Sequence, residues 1–275
     1  MKMDDFRYMR RGKPIQRLTN QQAHLLAPID IRGQGHEHAL LLLHGFSSSP
    51  AVFRQLLPAF TAAYDAVKCP TLPGHGESMS AFTMVKSSDW LTTAENAYET
   101  LVKDYQKVDV LGLSLGGLLA CHLNHLYSVN HLYLLAPALK LKLNIRIALK
   151  TAHILHRLGF HYLRNRAGNL CSELYSELAY RKLPITAIIE ILTMVSEFKL
   201  AMPTCPTDLF LGCFDDIVDS SLVEREFINL PNCNIHWLKN SAHVLPLDGD
   251  IDSIISCIQK NTGALATKTA KNTKG

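Results

Sequence analysis

The pentapeptide Gly112-Leu113-Ser114-Leu115-Gly116, followed by Gly117, constrains this chain more than any other feature. It stands between a short apolar run at 108–111 and a run with helical periodicity at 115–127. That context reads as a tight strand-to-helix turn with the serine at its apex. Such a turn strains the serine's dihedrals, so the residues two before and two after it must be very small. The helix that follows aims its N-terminus at negative charge developing beside the serine. The plainer alternative is a Gly/Ser-rich loop without a reactive hydroxyl, and the flanking strand and helix weigh against it.

The same alternation of strand and helix runs through most of the chain. Strands are expected at 39–43, 66–69, 108–111 and 131–135. Helices are expected at about 50–62, at about 89–105 with Asp89 as its cap, and at 115–127. After a break the alternation resumes with strand 208–211, helix 221–229, strand 234–238 and helix 251–259. This order predicts an α/β fold: a mostly parallel central sheet flanked by helices. Between 138 and 202 the pattern is helical without strands. It predicts a helical cap, or lid, inserted over the sheet's C-terminal edge, where open α/β sheets bind ligands. The expected division is a core of 1–137 with 203–262, a cap of 138–202, and a disordered tail at 263–275.

A serine hydroxyl is a weak nucleophile without a base. Thirteen histidines are available. His243, in Asn240-Ser241-Ala242-His243, follows the last expected strand and is the base of choice. His236 lies inside that strand and reads as a core or surface histidine. An acid should orient the base and stabilise its charged form. Asp215 and Asp216 both follow the strand that ends near Gly212; Asp215 stands closer to the break and is preferred. Asp219 reads as a helix cap. His44 and the segment Pro73-Gly74-His75-Gly76 read as turn-forming residues, and Ser47, Ser48 and Ser49 as loop residues.

Together, His44-Gly45-Phe46, Pro73-Gly74-His75-Gly76-Glu77-Ser78, Asp89-Trp90, Gly112–Gly117, Asp215-Asp216-Ile217-Val218 and Ser241-Ala242-His243 resemble the small bacterial carboxylesterases and monoacylglycerol lipases of the α/β-hydrolases. The resemblance covers roughly 38–258. It implies the α/β-hydrolase fold, a triad of Ser114, Asp215 and His243, and an oxyanion hole from the backbone N–H groups of Phe46 and Leu115. Ala242 departs from the glycine that often precedes the histidine. The implied substrate is a small acyl ester or lipid-like ester. No metal or organic cofactor is implied. A thioesterase, an acyltransferase or a C–C bond hydrolase on the same fold remains open, as does an inactive binding module, because fold alone does not fix function.

Charge separates these readings little. Lys+Arg exceed Asp+Glu by only 28 − 24 = 4, which gives no basis for a nucleic-acid partner. The excess is local: seven Lys or Arg and no acidic residue fall between Lys140 and Arg166. Arg146, Lys150, His153, Arg157, His161 and Arg164 recur beside an apolar row of Leu143, Ile147, Ile154, Leu155, Leu158 and Tyr162. This predicts a basic amphipathic helix over 146–164, bent at Gly159. Either its apolar face packs on the sheet, or the helix meets anionic lipid or an acidic substrate. Seven scattered cysteines without a C-x-x-C pair, and no secretory or transmembrane segment, fit reduced thiols in a cytoplasmic protein.

Overall fold

The computed structural model describes residues 5–264. In chain order the first elements are β1 (Phe6–Arg10), β2 (Lys13–Arg17), β3 (Ile29–Arg32), β4 (His38–Leu43), α1 (Leu57–Ala63) and β5 (Ala66–Cys69). Next come α2 (Met79–Met84), α3 (Ser87–Asp104), β6 (Lys107–Leu113), α4 (Leu115–Leu126) and β7 (Leu132–Leu135). The middle of the chain forms α5 (Ile145–Arg157), β8 (Tyr162–Arg164), β9 (Glu177–Tyr180), β10 (Lys182–Pro184) and α6 (Ile185–Glu197). The last are β11 (Thr207–Gly212), α7 (Ser220–Phe227), β12 (Cys233–Leu238) and α8 (Ile251–Asn261).

Seven strands form the main sheet in the order β12-β11-β7-β6-β4-β5-β3. All neighbours are parallel except β3, which runs antiparallel to β5 at one edge. Strand β4 shows why the central strands are apolar throughout. Leu41 and Leu43 enter one hydrophobic cluster, with Trp90 and Leu101 of α3 and Leu118 of α4. Leu40 and Leu42 enter the cluster on the opposite face, with Phe60 of α1 and Ile254 and Ile258 of α8. Alternate side chains of a strand point to opposite faces, so a strand covered by helices on both sides needs apolar residues at every position.

Several local expectations change. The helix expected at 50–62 is two pieces, a 3₁₀ turn at Pro50–Phe53 and then α1. Helix α3 begins two residues before Asp89. Asp89 serves its end from inside the first turn, where its Oδ2 accepts from Lys86 N at 2.8 Å. The expectation that 138–202 lacks strands is wrong: β8 and β10 pair with each other there, and β9 pairs antiparallel with β1. The N-terminal hairpin and a strand of the inserted segment thus make one three-stranded sheet, β2-β1-β9. The basic helix is also shorter than expected. It stops at Arg157, Gly159 takes a φ of 85°, and Tyr162–Arg164 is extended. A positive φ is free to glycine and ends a helix where a bend was expected. The tail beyond 264 lies outside the described residues.

Candidate active site

Ser114 joins β6 to α4 with φ 55° and ψ −113°. This strained turn depends on its glycines. A Cβ on Gly112 would sit 2.1 Å from Gly116 O, and one on Gly116 would sit 1.9 Å from Leu43 O. No side chain fits either place, so the two glycines are what let the turn press against β4. Asp215 and His243 follow the C-terminal ends of β11 and β12 in the same way. Three loops at one edge of the sheet therefore deliver three side chains to one point.

The structure brings all three together. His243 Nε2 lies 2.9 Å from Ser114 Oγ, and His243 Nδ1 lies 2.8 Å from Asp215 Oδ2. A carboxylate only accepts, so Nδ1 carries the proton and Nε2 is free to accept from the serine hydroxyl. Asp215 is buried, and its Oδ1 accepts from Ile217 N and Val218 N, each at 2.8 Å. Burial alone would raise its pKa. The charge and hydrogen bond of His243, with the two N–H donors, hold the carboxyl below its ordinary range. Burial likewise opposes a charged imidazole. The charge and hydrogen bond of Asp215, helped by the charge of Glu177, outweigh it and raise the His243 pKa.

Asp216 takes no part in this chain. Its Oδ2 accepts from Asn169 Nδ2 at 3.2 Å, and its N–H donates to Asn169 Oδ1 at 3.1 Å. His236 lies in β12 and bonds Asp208, well away from Ser114. Asp219 caps α7 by accepting from Leu222 N.

Phe46 lines a cavity of about 360 Å³ that opens on Ser114 and His243, and Leu115 is the first residue of α4, directly after Ser114. The first N–H groups of a helix have no partner within it, so the Leu115 N–H is free to donate to a ligand. The Phe46 ring is held among His75, Phe82 and Trp90 at centroid distances of 5.5–6.0 Å. His44 anchors the loop beneath. Its Nε2 accepts from Leu72 N and its Nδ1 faces Gly45 O, both at 3.0 Å, and burial pushes its pKa down to about 4. It is a neutral turn residue.

Three side chains at the site were not foreseen. Asn165 Nδ2 donates to Ser47 Oγ at 3.0 Å and to Tyr180 O at 2.8 Å. Asn169 accepts from His243 N through both its backbone and its side-chain oxygen, each at 3.1 Å. Glu177, in β9, is a buried carboxylate on the cavity wall. Burial pushes its pKa up, against the pull of the Gly168 N–H and the charge of His243. The turn-forming run Asn165-Arg166-Ala167-Gly168-Asn169 was the available signal.

Comparison with known proteins shows the family and the fold. A model of the alpha/beta hydrolase family matches residues 40–251. A thermostable monoacylglycerol lipase of Bacillus sp. (strain H-257) is 28% identical over 221 residues, which is 78% of this chain and 86% of that protein. A carboxylesterase of Bacillus subtilis (strain 168) is 21% identical over 240 residues, 84% of this chain and 94% of that one. A solved structure from work on the metagenome-derived lipolytic enzymes LipS and LipT has TM-score 0.77 and 25% identity, covering 86% of this chain and 97% of its own. A monoglyceride lipase from Saccharomyces cerevisiae, at TM-score 0.67 and 12% identity over 86% and 90%, shares the fold. This chain belongs to the alpha/beta hydrolase family.

Proposed function

We propose that the protein is a serine ester hydrolase that cleaves a carboxylic ester carrying one acyl chain. The observation that carries this reading is the unbroken hydrogen-bonded chain Ser114–His243–Asp215 at the mouth of a cavity. Ser114 Oγ attacks the ester carbonyl carbon while His243 Nε2 takes its proton. Phe46 N–H and Leu115 N–H hold the oxyanion that forms. Collapse breaks the C–O bond, and His243 returns the proton to the departing alcohol. The acyl group stays on Ser114 until water, deprotonated by His243, releases it as a carboxylic acid. Asp215 stays ionised throughout. A cavity of about 360 Å³ is at the small end of ligand pockets, which suits a monoacyl ester better than a triacylglycerol. The names of the two Bacillus relatives favour the same class.

The test is a panel of monoacylglycerols of graded chain length, short aryl esters and matching acyl thioesters. We expect oxygen esters to be preferred, by kcat/KM, at least about tenfold, a ΔΔG‡ of about 1.4 kcal/mol. A thioester preference would overturn the ester reading and leave the role of Ser114 standing. The pH profile of the best substrate adds a check. His243 works as a base only when neutral, so kcat/KM rises as pH rises through its pKa. That pKa is raised, so the acid limb should lie above the ordinary imidazole value of about 6.5. A limb well below that value would show that the base is not His243 in this hydrogen-bonded state.

The inserted segment supports a lid that docks on anionic lipid. The apolar row of α5 and its C-cap is not covered by the sheet: Ile147 is 63%, Ile154 57% and the cap Leu158 69% exposed. Arg146, Lys150 and Arg157, also exposed, run alongside it. Arg164 and Arg166 carry the charge to the rim of the Ser114 cavity. Each basic residue near an anionic surface contributes about 1 kcal/mol, screened by salt. Sedimentation should therefore show binding to vesicles rich in anionic lipid at low salt, and little to neutral ones. The variant Arg146→Glu/Lys150→Glu/Arg157→Glu should lose that binding and keep its hydrolysis of a small soluble ester. Equal binding to both vesicle types, or undiminished binding by the variant, would leave α5 as a merely solvated face.

A further inference from the structure

At the other end of the strands from Ser114, side chains with metal-binding atoms meet beneath α8. They come from four places: His131 just before β7, Asp208 near the start of β11, His236 in β12 and Cys257 in α8. Asp208 is buried. Its Oδ1 is 2.6 Å from His236 Nε2, and its Oδ2 is 2.7 Å from His131 Nε2 and 2.8 Å from Asn261 Nδ2. Cys257 Sγ lies 3.9 Å from His236 Nε2. The ligand atoms of Asp208, His236 and Cys257 all lie within 4.8 Å of one another.

We propose that Asp208, His236 and Cys257 form a binding site for a tetrahedral divalent metal ion of the zinc class. Zinc holds oxygen and nitrogen at about 2.0–2.2 Å and sulfur at about 2.3 Å. Tetrahedral angles then separate the ligand atoms by about 3.3–3.6 Å. The oxygen–nitrogen pair must open by less than an ångström, the nitrogen–sulfur pair must close slightly, and the oxygen–sulfur pair, within 4.8 Å, must close by at most about 1.2 Å. His236 is partly exposed and stacked on Phe210 at 4.6 Å, so its ring can slide within its plane, and water can take the fourth position. One thiolate, one imidazole and one carboxylate suit zinc and exclude magnesium or calcium, which take oxygen ligands.

The surroundings supply what a ligating carboxylate needs. With Oδ1 on the metal, Oδ2 keeps its bonds to His131 and Asn261, which fix its orientation. The His131 ring is itself stacked on Tyr133 at 4.3 Å. Binding releases the Cys257 thiol proton to solvent. In the metal-free site His236 Nε2–H donates to Asp208 Oδ1; on binding, Nε2 gives up that proton, the neutral ring takes one from solvent on Nδ1, and Nε2 takes the metal. The ion would join α8 to β11 and β12. It lies outside the ester chemistry, so its failure and the failure of that reading are separable.

The experiment uses the full chain, dialysed against a chelator and titrated with Co²⁺ as an optical stand-in for Zn²⁺. One equivalent should produce a thiolate-to-cobalt charge-transfer band with d–d absorption of tetrahedral intensity. Zn²⁺ should displace it and raise Tm. Cys257→Ser should remove the band, and His236→Gln should weaken binding at least about tenfold. His131→Gln should keep the band and lose about 10–100-fold in affinity. All three variants should hydrolyse a soluble ester as the wild type does. Absence of the band at one equivalent, or its persistence in folded Cys257→Ser, overturns the proposal.

Discussion

Ser114→Ala should lower kcat by about 10⁶ while the protein stays folded. The size follows from the way the site works as a unit. Without Oγ there is no acyl-enzyme, and His243 and Asp215 have nothing to activate but water. What remains is binding and the oxyanion donors, worth about 10³–10⁴ over the uncatalysed reaction. Folding should survive because alanine meets the same positive φ as serine, at 55°, without a new clash. The variant should melt within a few degrees of wild type and take no label from a fluorophosphonate probe that marks the wild type stoichiometrically. A folded Ser114→Ala protein with activity within a hundredfold of wild type is the result that sinks the mechanism.

Asp215→Asn should cost about 10⁴ in kcat, and Asp216→Asn less than tenfold. The first number has a structural reason. Two backbone N–H groups, of Ile217 and Val218, point at Oδ1 and require an acceptor there. An asparagine at 215 will put its carbonyl oxygen on them and turn its NH₂ toward His243 Nδ1. Nδ1 must then accept, so the ring proton moves to Nε2, where it faces Ser114 Oγ and blocks proton abstraction. Asp216 bonds only Asn169, and an amide can exchange one of those bonds for another. Single-turnover and steady-state rates for both variants decide it. The reverse ranking would mean that the carboxylate orienting His243 in solution is Asp216.

The core strands and the three facing side chains were legible in the sequence for one shared reason. A strand buried on both faces is an unbroken apolar run, and residues just past such runs sit at the same sheet edge. Leu40–Leu43 and Leu209–Leu211 are such runs, and Ser114, Asp215 and His243 each follow one strand's end. The inserted segment was not legible in this way. Strands β8 and β10 have three residues each and β9 has four, too few to show a period of two. The partner that makes β9 a strand is β1, far away in the chain. Glu177 acts through contacts across the fold, with no fixed spacing to announce it. The same is true of His236 and Cys257, which no C-x-x-C pattern could have flagged.

The pairing of β1 with β9 also bears on how the chain is made. Residues 6–10 leave the ribosome well before 177–180, the strand that completes their hydrogen bonds. Domains are synthesised at about 5–20 residues per second, so the first strand waits roughly 8–33 s for its partner. During that time the outer edge of β1 is unpaired, and two large apolar side chains, Phe6 and Met9, have nothing from β9 to bury them. Isolated two-stranded hairpins are marginal in water. Strand β1 therefore cannot settle when it is made and must wait for β9. A nascent chain of this protein carries this uncovered, apolar hairpin until the middle of the inserted segment has emerged.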